Sequence, residues 1–193
     1  MKMIAGNPDI FAFLIERVGE WESNGFINGL MYIYMNGKLY PCKLRTTTLN
    51  SDLPSLFDDR SSAFVRPKVS RKLYAMNGKK LFKRIRRLRF PFRYSDKPDT
   101  DEDYRFDVTL NEMENAGYHL FVVTDGNDVR LLLGRWKYKK KDGKFKFLDD
   151  VELSAVEYQS IIRRVYFYYR NGMMPVSAQK MPGTVPESAP SEQ

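Results

Sequence analysis

The sequence predicts an α+β fold: a single compact domain with a mainly antiparallel, hairpin-rich sheet and a few packed helices, including a C-terminal helix. Three observations predict it. Asn-Gly occurs at 24–25, 28–29, 36–37, 77–78 and 171–172, and Asp-Gly at 125–126 and 142–143. These dipeptides tolerate the positive φ that tight turns demand. Between them lie short β-branched and aromatic runs of strand length. Ser154-x-x-Glu157 then opens a longer stretch with helical spacing, the signature of a capping box. So many turn dipeptides favour a meander of hairpins over a helical bundle.

Taken in order, Ile10 to Val18 reads as a strand or a short buried helix, with its flanks favouring the strand, and Gly29 to Tyr34 as an aromatic and β-branched strand. Asn36-Gly37 turns that strand into Lys38-Leu39-Tyr40, which Pro41 ends. Asn50 or Ser51 is placed to cap a short helix near Asp52 to Asp58. Asn77-Gly78 precedes a helix in which Leu81, Phe82, Ile85 and Leu88 recur at helical spacing, and Pro91 ends it. Thr109 is placed to cap a helix at Leu110 to Ala116, with Gly117 at its end. From Tyr118 the pattern is one of strands: His119 to Thr124, Val129 to Tyr138 and Phe145 to Leu153. The last helix runs to Arg170 with Val156, Ile161, Val165 and Tyr168/Tyr169 among its apolar positions, and Asn171-Gly172 is read as its stop.

At 193 residues, 42% hydrophobic and 29% charged, the chain suits one globular domain. That domain is assigned to residues 1–172, with a basic helical segment at 60–97 inside it. Residues 173–193 hold four prolines and little to pack, which predicts a disordered tail. A single cysteine, Cys42, excludes an intramolecular disulfide framework and favours a reducing compartment. Apolar runs such as Leu30 to Met35 are far shorter than the roughly 20 residues a membrane span needs. Pro8 and Asp9 interrupt the start, against a secretory signal. A soluble cytoplasmic protein is expected.

The net charge of +8 by itself suggests a nucleic-acid partner, but its distribution is patchy. Residues 60–97 hold 14 Lys/Arg against Asp96 alone, and residues 135–146 hold seven against Asp142. Residues 98–134 are acidic, with nine Asp/Glu against Arg105 and Arg130.

The motifs of catalysis are missing. His119 is the only histidine, set in the apolar run His-Leu-Phe-Val-Val with no serine or cysteine motif beside it, and reads as structural. Cys42 and His119 are too few for a tetrahedral zinc site. Neither G-x-x-x-x-G-K-[ST] nor G-x-G-x-x-G occurs. No catalytic residue, metal ligand or cofactor is assigned. Asp99, Asp101, Glu102 and Asp103 offer paired carboxylates for acid–base work or magnesium, but Lys97-Pro98 beside them reads as a loop, and a solvated acidic loop is the plainer reading.

Several ordered stretches resemble the immunity protein 42 family of bacterial polymorphic toxin systems. They are Gly6-Asn7-Pro8 with Phe11-Ala12-Phe13, Ile27-Asn28-Gly29, Ile33 to Tyr40, Arg45-Thr46-Thr47-Thr48-Leu49-Asn50-Ser51-Asp52-Leu53, Asp103-Tyr104-Arg105-Phe106, Gly117-Tyr118, and Phe121 to Gly126 with Val129-Arg130. Arg45 to Leu53 is the most telling of them. The resemblance spans most of residues 3–170. It implies a small cytoplasmic α+β protein, without catalytic residues or cofactor, that binds and neutralises the C-terminal domain of a cognate toxin. The basic stretch between 60 and 97 departs from what the resemblance leads one to expect.

Such an inhibitor needs charge complementary to its partner and a few buried anchors. Against a basic nuclease cleft the candidate is the acidic segment with Asp99, Asp101, Glu102, Asp103 and Tyr104. Against an acidic face it is Lys79 to Arg93, with Arg84, Arg86 and Arg87. The alternative function is a basic nucleic-acid-binding module using residues 79–93, in which Phe90, Phe92 and Tyr94 stack on bases. A membrane partner is not expected, and oligomeric state is left open.

Overall fold

The fold is taken from a computed structural model that describes residues 2–57, 62–91, 101–137 and 144–173. Asp99 and the tail assigned to 173–193, apart from Met173, lie outside the described residues. The expected α+β architecture is present, with its antiparallel hairpins divided between two sheets.

The first sheet runs β1 (Lys2–Asn7), β2 (Phe11–Arg17), β3 (Asn28–Met35), β4 (Lys38–Tyr40), with β5 (Thr47–Thr48) also on β3. Asn36 and Gly37 both take positive φ between β3 and β4, as the turn dipeptide requires. β1 was not foreseen: Lys2 to Asn7 has no strict alternation, and it is paired residue for residue with β2. The second sheet is β6 (Tyr118–Thr124), β7 (Asp128–Lys137), β8 (Lys144–Ser154).

The two faces of the second sheet serve two cores. Leu120 and Val122 of β6 join Phe13, Ile15, Ile33, Leu53, Ile162 and Val165 in the larger core. Phe121 and Val123, on the opposite face, join Leu81, Phe82, Ile85 and Leu132 in a smaller one. A strand apolar on both faces reads as an unbroken hydrophobic run, which is how His119 to Val123 looks in the sequence.

The helices are α1 (Leu49–Ser55), α2 (Ser62–Val65), α3 (Arg71–Tyr74), α4 (Gly78–Arg89), α5 (Asn111–Asn115) and α6 (Ala155–Met173). Two caps differ from expectation. Asn50 lies inside α1, whose N-cap position is Thr48. The Asn50 side chain instead accepts from Ile27 N at 3.0 Å and donates to Gly25 O at 2.9 Å, clamping the preceding loop. Thr109 does not cap α5; its hydroxyl accepts from Leu120 N at 2.9 Å and lies 3.3 Å from Leu120 O. The N-terminus of α5 meets Asp52 of α1, which accepts from Glu112 N at 3.4 Å.

The capping box of α6 forms as the spacing predicts. Glu157 N donates to Ser154 Oγ at 3.2 Å, and Ser154 N donates to the Glu157 carboxylate at 3.1 Å. Tyr158, Ile161, Ile162 and Val165 are buried, whereas Val156 is 77% exposed. Asn171-Gly172 does not stop the helix. The last turn continues to Met173, whose side chain is buried, while Arg17 Nη1 donates to Gly172 O at 2.7 Å. A tertiary anchor therefore overrides the local turn signal at Asn171-Gly172.

α4 begins where Asn77 predicts, with Asn77 Oδ1 accepting from Lys79 N at 3.1 Å. Leu81, Phe82 and Ile85 are buried against β7 and β8, but Leu88 is exposed and Arg89 takes the inward position. Burying three such side chains contributes about 1.5–3 kcal/mol each. Like-charge pairs along the exposed face cost about 0.2–0.5 kcal/mol each, so packing wins and the helix holds. Among the described residues, no helix is long and apolar enough to cross a membrane.

Candidate functional site

The acidic segment is built into the fold more than it is displayed. Asp103 N donates to Leu88 O at 3.0 Å, docking the segment on the end of α4. The buried Arg89 guanidinium donates to Asp107 at 2.7 Å and to Glu102 at 2.5 Å, and lies 3.6 Å from the Tyr104 ring centroid. Glu102 also accepts from the Tyr104 hydroxyl at 2.7 Å. Asp103 caps a 3-10 turn over Tyr104–Phe106 and accepts from Arg105 N and from its guanidinium. The Arg105 guanidinium holds the Asp103 carboxyl below its ordinary range. Of the sequence-predicted acids, Glu102 and Asp103 thus have intramolecular cations, Asp101 is exposed, and Asp99 falls outside the described residues.

The basic segment is displayed. Described residues 62–91 hold 11 Lys/Arg and no Asp or Glu. Lys79, Lys80, Lys83, Arg84 and Arg87 are exposed along α4. Arg86, which the sequence grouped with Arg84 and Arg87, is only half-exposed, with its guanidinium 4.6 Å from the Phe145 ring centroid. Phe90, a candidate for base stacking, is buried against His119 and Phe145. Phe92, Arg93 and Tyr94 lie outside the described residues.

Within the second basic stretch, the described Arg135 and Lys146 are directed elsewhere. Arg135 and Lys146 face each other across β7 and β8, and the Arg135 guanidinium sits 4.8 Å from the Tyr118 ring centroid. Phe145 and Phe147, on alternate positions, pack on Phe82 of α4. Successive side chains of a strand point to opposite faces, so Lys146 and α4 lie on opposite sides of the second sheet.

The segment from Arg45 to Asp52 reads in the sequence either as binding surface or as capping and turn residues. What the sequence did not show is that Arg45 to Thr48 join Trp21, Asn28, Leu44 and Glu112 in lining an open cleft of about 740 Å³. Trp21 is 40% exposed and Leu44 76% exposed. Arg45 pairs with Glu112 at 3.5 Å, and Thr47 Oγ1 donates to Asp52 at 2.6 Å. The sequence signal was Trp21 between two glutamates, an unusual setting for a core tryptophan.

His119 is buried among Phe90, Phe121 and Phe145, as a structural histidine would be. Cys42 is exposed, its sulfur 3.5 Å from the Tyr118 hydroxyl. Among the described residues no three His, Cys, Asp or Glu side chains gather as metal ligands would.

The fold is a two-sheet α+β domain with the cationic helix α4 packed on the second sheet. The structure is similar to the crystal structure of CdiI from Burkholderia dolosa AUO158, with a TM-score of 0.67 and 24% identity over 86% of this chain and 99% of that chain. At that identity the likeness concerns the fold alone. The family model for immunity protein 42 matches residues 3–168, and the chain belongs to the immunity protein 42 family. No curated protein matches it at a significant level.

Proposed function

We propose that this chain is a toxin-neutralising immunity protein, acting in the cytoplasm of the cell that makes the toxin. It binds the C-terminal domain of a cognate bacterial toxin and blocks it by occupying its surface, without chemistry of its own. The observation that carries this reading is the family match across residues 3–168. Its fold likeness to a CdiI protein is in keeping with it. The test is co-expression with the C-terminal domain of the toxin encoded by the adjacent gene. Protected growth and a co-purifying complex are expected; cells that die despite soluble, folded protein overturn the reading.

The acid-free run at 62–91 favours a second reading, a nucleic-acid-binding module. It predicts DNA or RNA affinity that falls steeply with salt. The burial of Phe90 against His119 takes one stacking platform out of that reading.

A further inference from the structure

We propose that the exposed face of α4 is the surface on which the partner docks, and that it meets an acidic protein surface. This rests on the immunity-protein reading and adds to it the location and charge of the contact.

Among the described residues, the first two turns of the α4 face break local rules and have no carboxylate counter-charge. Lys79 and Lys80 occupy the first turn, which has no acid, although the positive end of the helix dipole disfavours cations there. Lys79 and Lys83, Lys80 and Arg84, and Lys83 and Arg87 stand four residues apart, the spacing at which like charges repel on one face. Among the described residues, no carboxylate pairs with Lys79, Lys80, Lys83 or Arg84. Acids beside α4 are engaged by other cations: Asp150, next to Gly78, by Arg130, Glu102 and Asp107 by Arg89, and Asp103 by Arg105. A local conflict left standing in an otherwise consistent fold is the expected mark of a functional surface.

The chemistry of the occupant follows from what the face lacks. Insertion into lipid needs an apolar face, and that of α4 is spent on the second core, where Leu81, Phe82 and Ile85 are buried. Single-strand binding by base stacking needs exposed aromatics, and Phe82 and Phe90 are buried; a duplex needs none, and the immunity-protein reading is what favours a protein over it. What remains is a rigid row of cations on a helix anchored to a sheet. It complements carboxylates on a protein surface, raising the encounter rate and fixing register.

The test uses the full chain and the C-terminal domain of the adjacent-gene toxin, with association followed by stopped-flow or biolayer interferometry. One variant carries Lys80→Glu, Lys83→Glu and Arg84→Glu. A control of equal net charge carries Lys2→Glu, Lys43→Glu and Arg163→Glu, all exposed and off α4. Wild type is expected to associate about tenfold more slowly between about 50 and 300 mM salt. The ridge variant is expected to associate at least about tenfold more slowly than wild type at low salt, and the control within about twofold. Its melting temperature should be no lower than that of wild type, because the reversals relieve repulsion, and this separates lost binding from lost folding.

A ridge variant that associates like the control overturns the inference while the immunity reading stands. A wild-type chain that fails to bind the toxin domain overturns the immunity reading, and the acidic partner with it. A DNA duplex of about 20 base pairs is then titrated. Binding by wild type that is lost in the ridge variant assigns α4 to nucleic acid and overturns the acidic-protein partner.

Discussion

Arg89 and Glu102 meet at 2.5 Å, and through that contact the end of the basic helix and the acidic segment become one structural unit. Two features that read as competing binding patches along the sequence are, at this point, each other's counter-charge. Glu102 is therefore spoken for, and the display of charge passes to the outer face of α4.

Removing Arg89 should be costly. The side chain is buried and bonds to both Glu102 and Asp107, and breaking a buried pair by deleting one partner costs about 3–5 kcal/mol. Arg89→Ala should lower the urea midpoint accordingly. Arg84→Ala, exposed on the same helix, should change stability by less than about 0.5 kcal/mol. Equal effects of the two would show that the Arg89 contacts do not stabilise the fold.

Asp52 should make stability depend on pH in the sense opposite to most carboxylates. Burial raises its pKa, against the opposing hydrogen bonds from Thr47 and the backbone of α5. The native chain thus holds this proton more tightly than the unfolded chain. The Asp52 contribution is full below the unfolded value of about 3.9 and is lost as pH rises through the folded one. Asp52→Asn keeps an acceptor for Glu112 N and does not ionise. In urea titrations at a series of pH values, the stability of wild type minus that of Asp52→Asn should fall as pH rises. A difference that rises with pH instead would overturn the assignment. Asp52→Ala, which leaves Thr47 and Glu112 N without their partner, should cost about 1–3 kcal/mol.

Gly134 should not tolerate a side chain. It lies where the β7–β8 register shifts, and a Cβ there would enter the space of the Phe82 ring. Overpacking of this kind costs about 1–3 kcal/mol, so Gly134→Ala should lower the melting temperature and Gly134→Val should lower it further. If Phe82→Ala restores part of the loss in the double variant, the clash is with that ring; additive losses would place it elsewhere.

Leu81 and Leu88 share a helical spacing pattern and should behave differently. Leu81 is fully buried and Leu88 is 37% exposed. Leu81→Ala should cost about 2–5 kcal/mol, whereas Leu88→Ala should stay below about 1 kcal/mol. Chemical unfolding of the pair measures this, and equal losses would mean that both face the core.

Much of the fold was legible because its signals are local. Asn36-Gly37 makes its hairpin with two positive φ values, Ser154 and Glu157 cap α6, and Asn77 starts α4. Each depends on residues within a few positions of one another, where backbone sterics and short-range hydrogen bonds leave little choice. The family resemblance, strongest over Arg45 to Leu53, was legible for the same reason: it is a property of residue order.

The candidate site was only half legible. The row of cations on α4 stands in the sequence as periodicity and charge. That Arg89 turns inward while Leu88 turns out was decided by Glu102 and Asp107, which lie 13 and 18 residues away. That Asp52 rather than Thr109 meets the start of α5 was decided by packing across 60 residues. Local spacing limits which faces a helix can offer; which face is buried, and which charges are left unneutralised, depends on long-range neighbours that only the folded chain brings within a few ångströms.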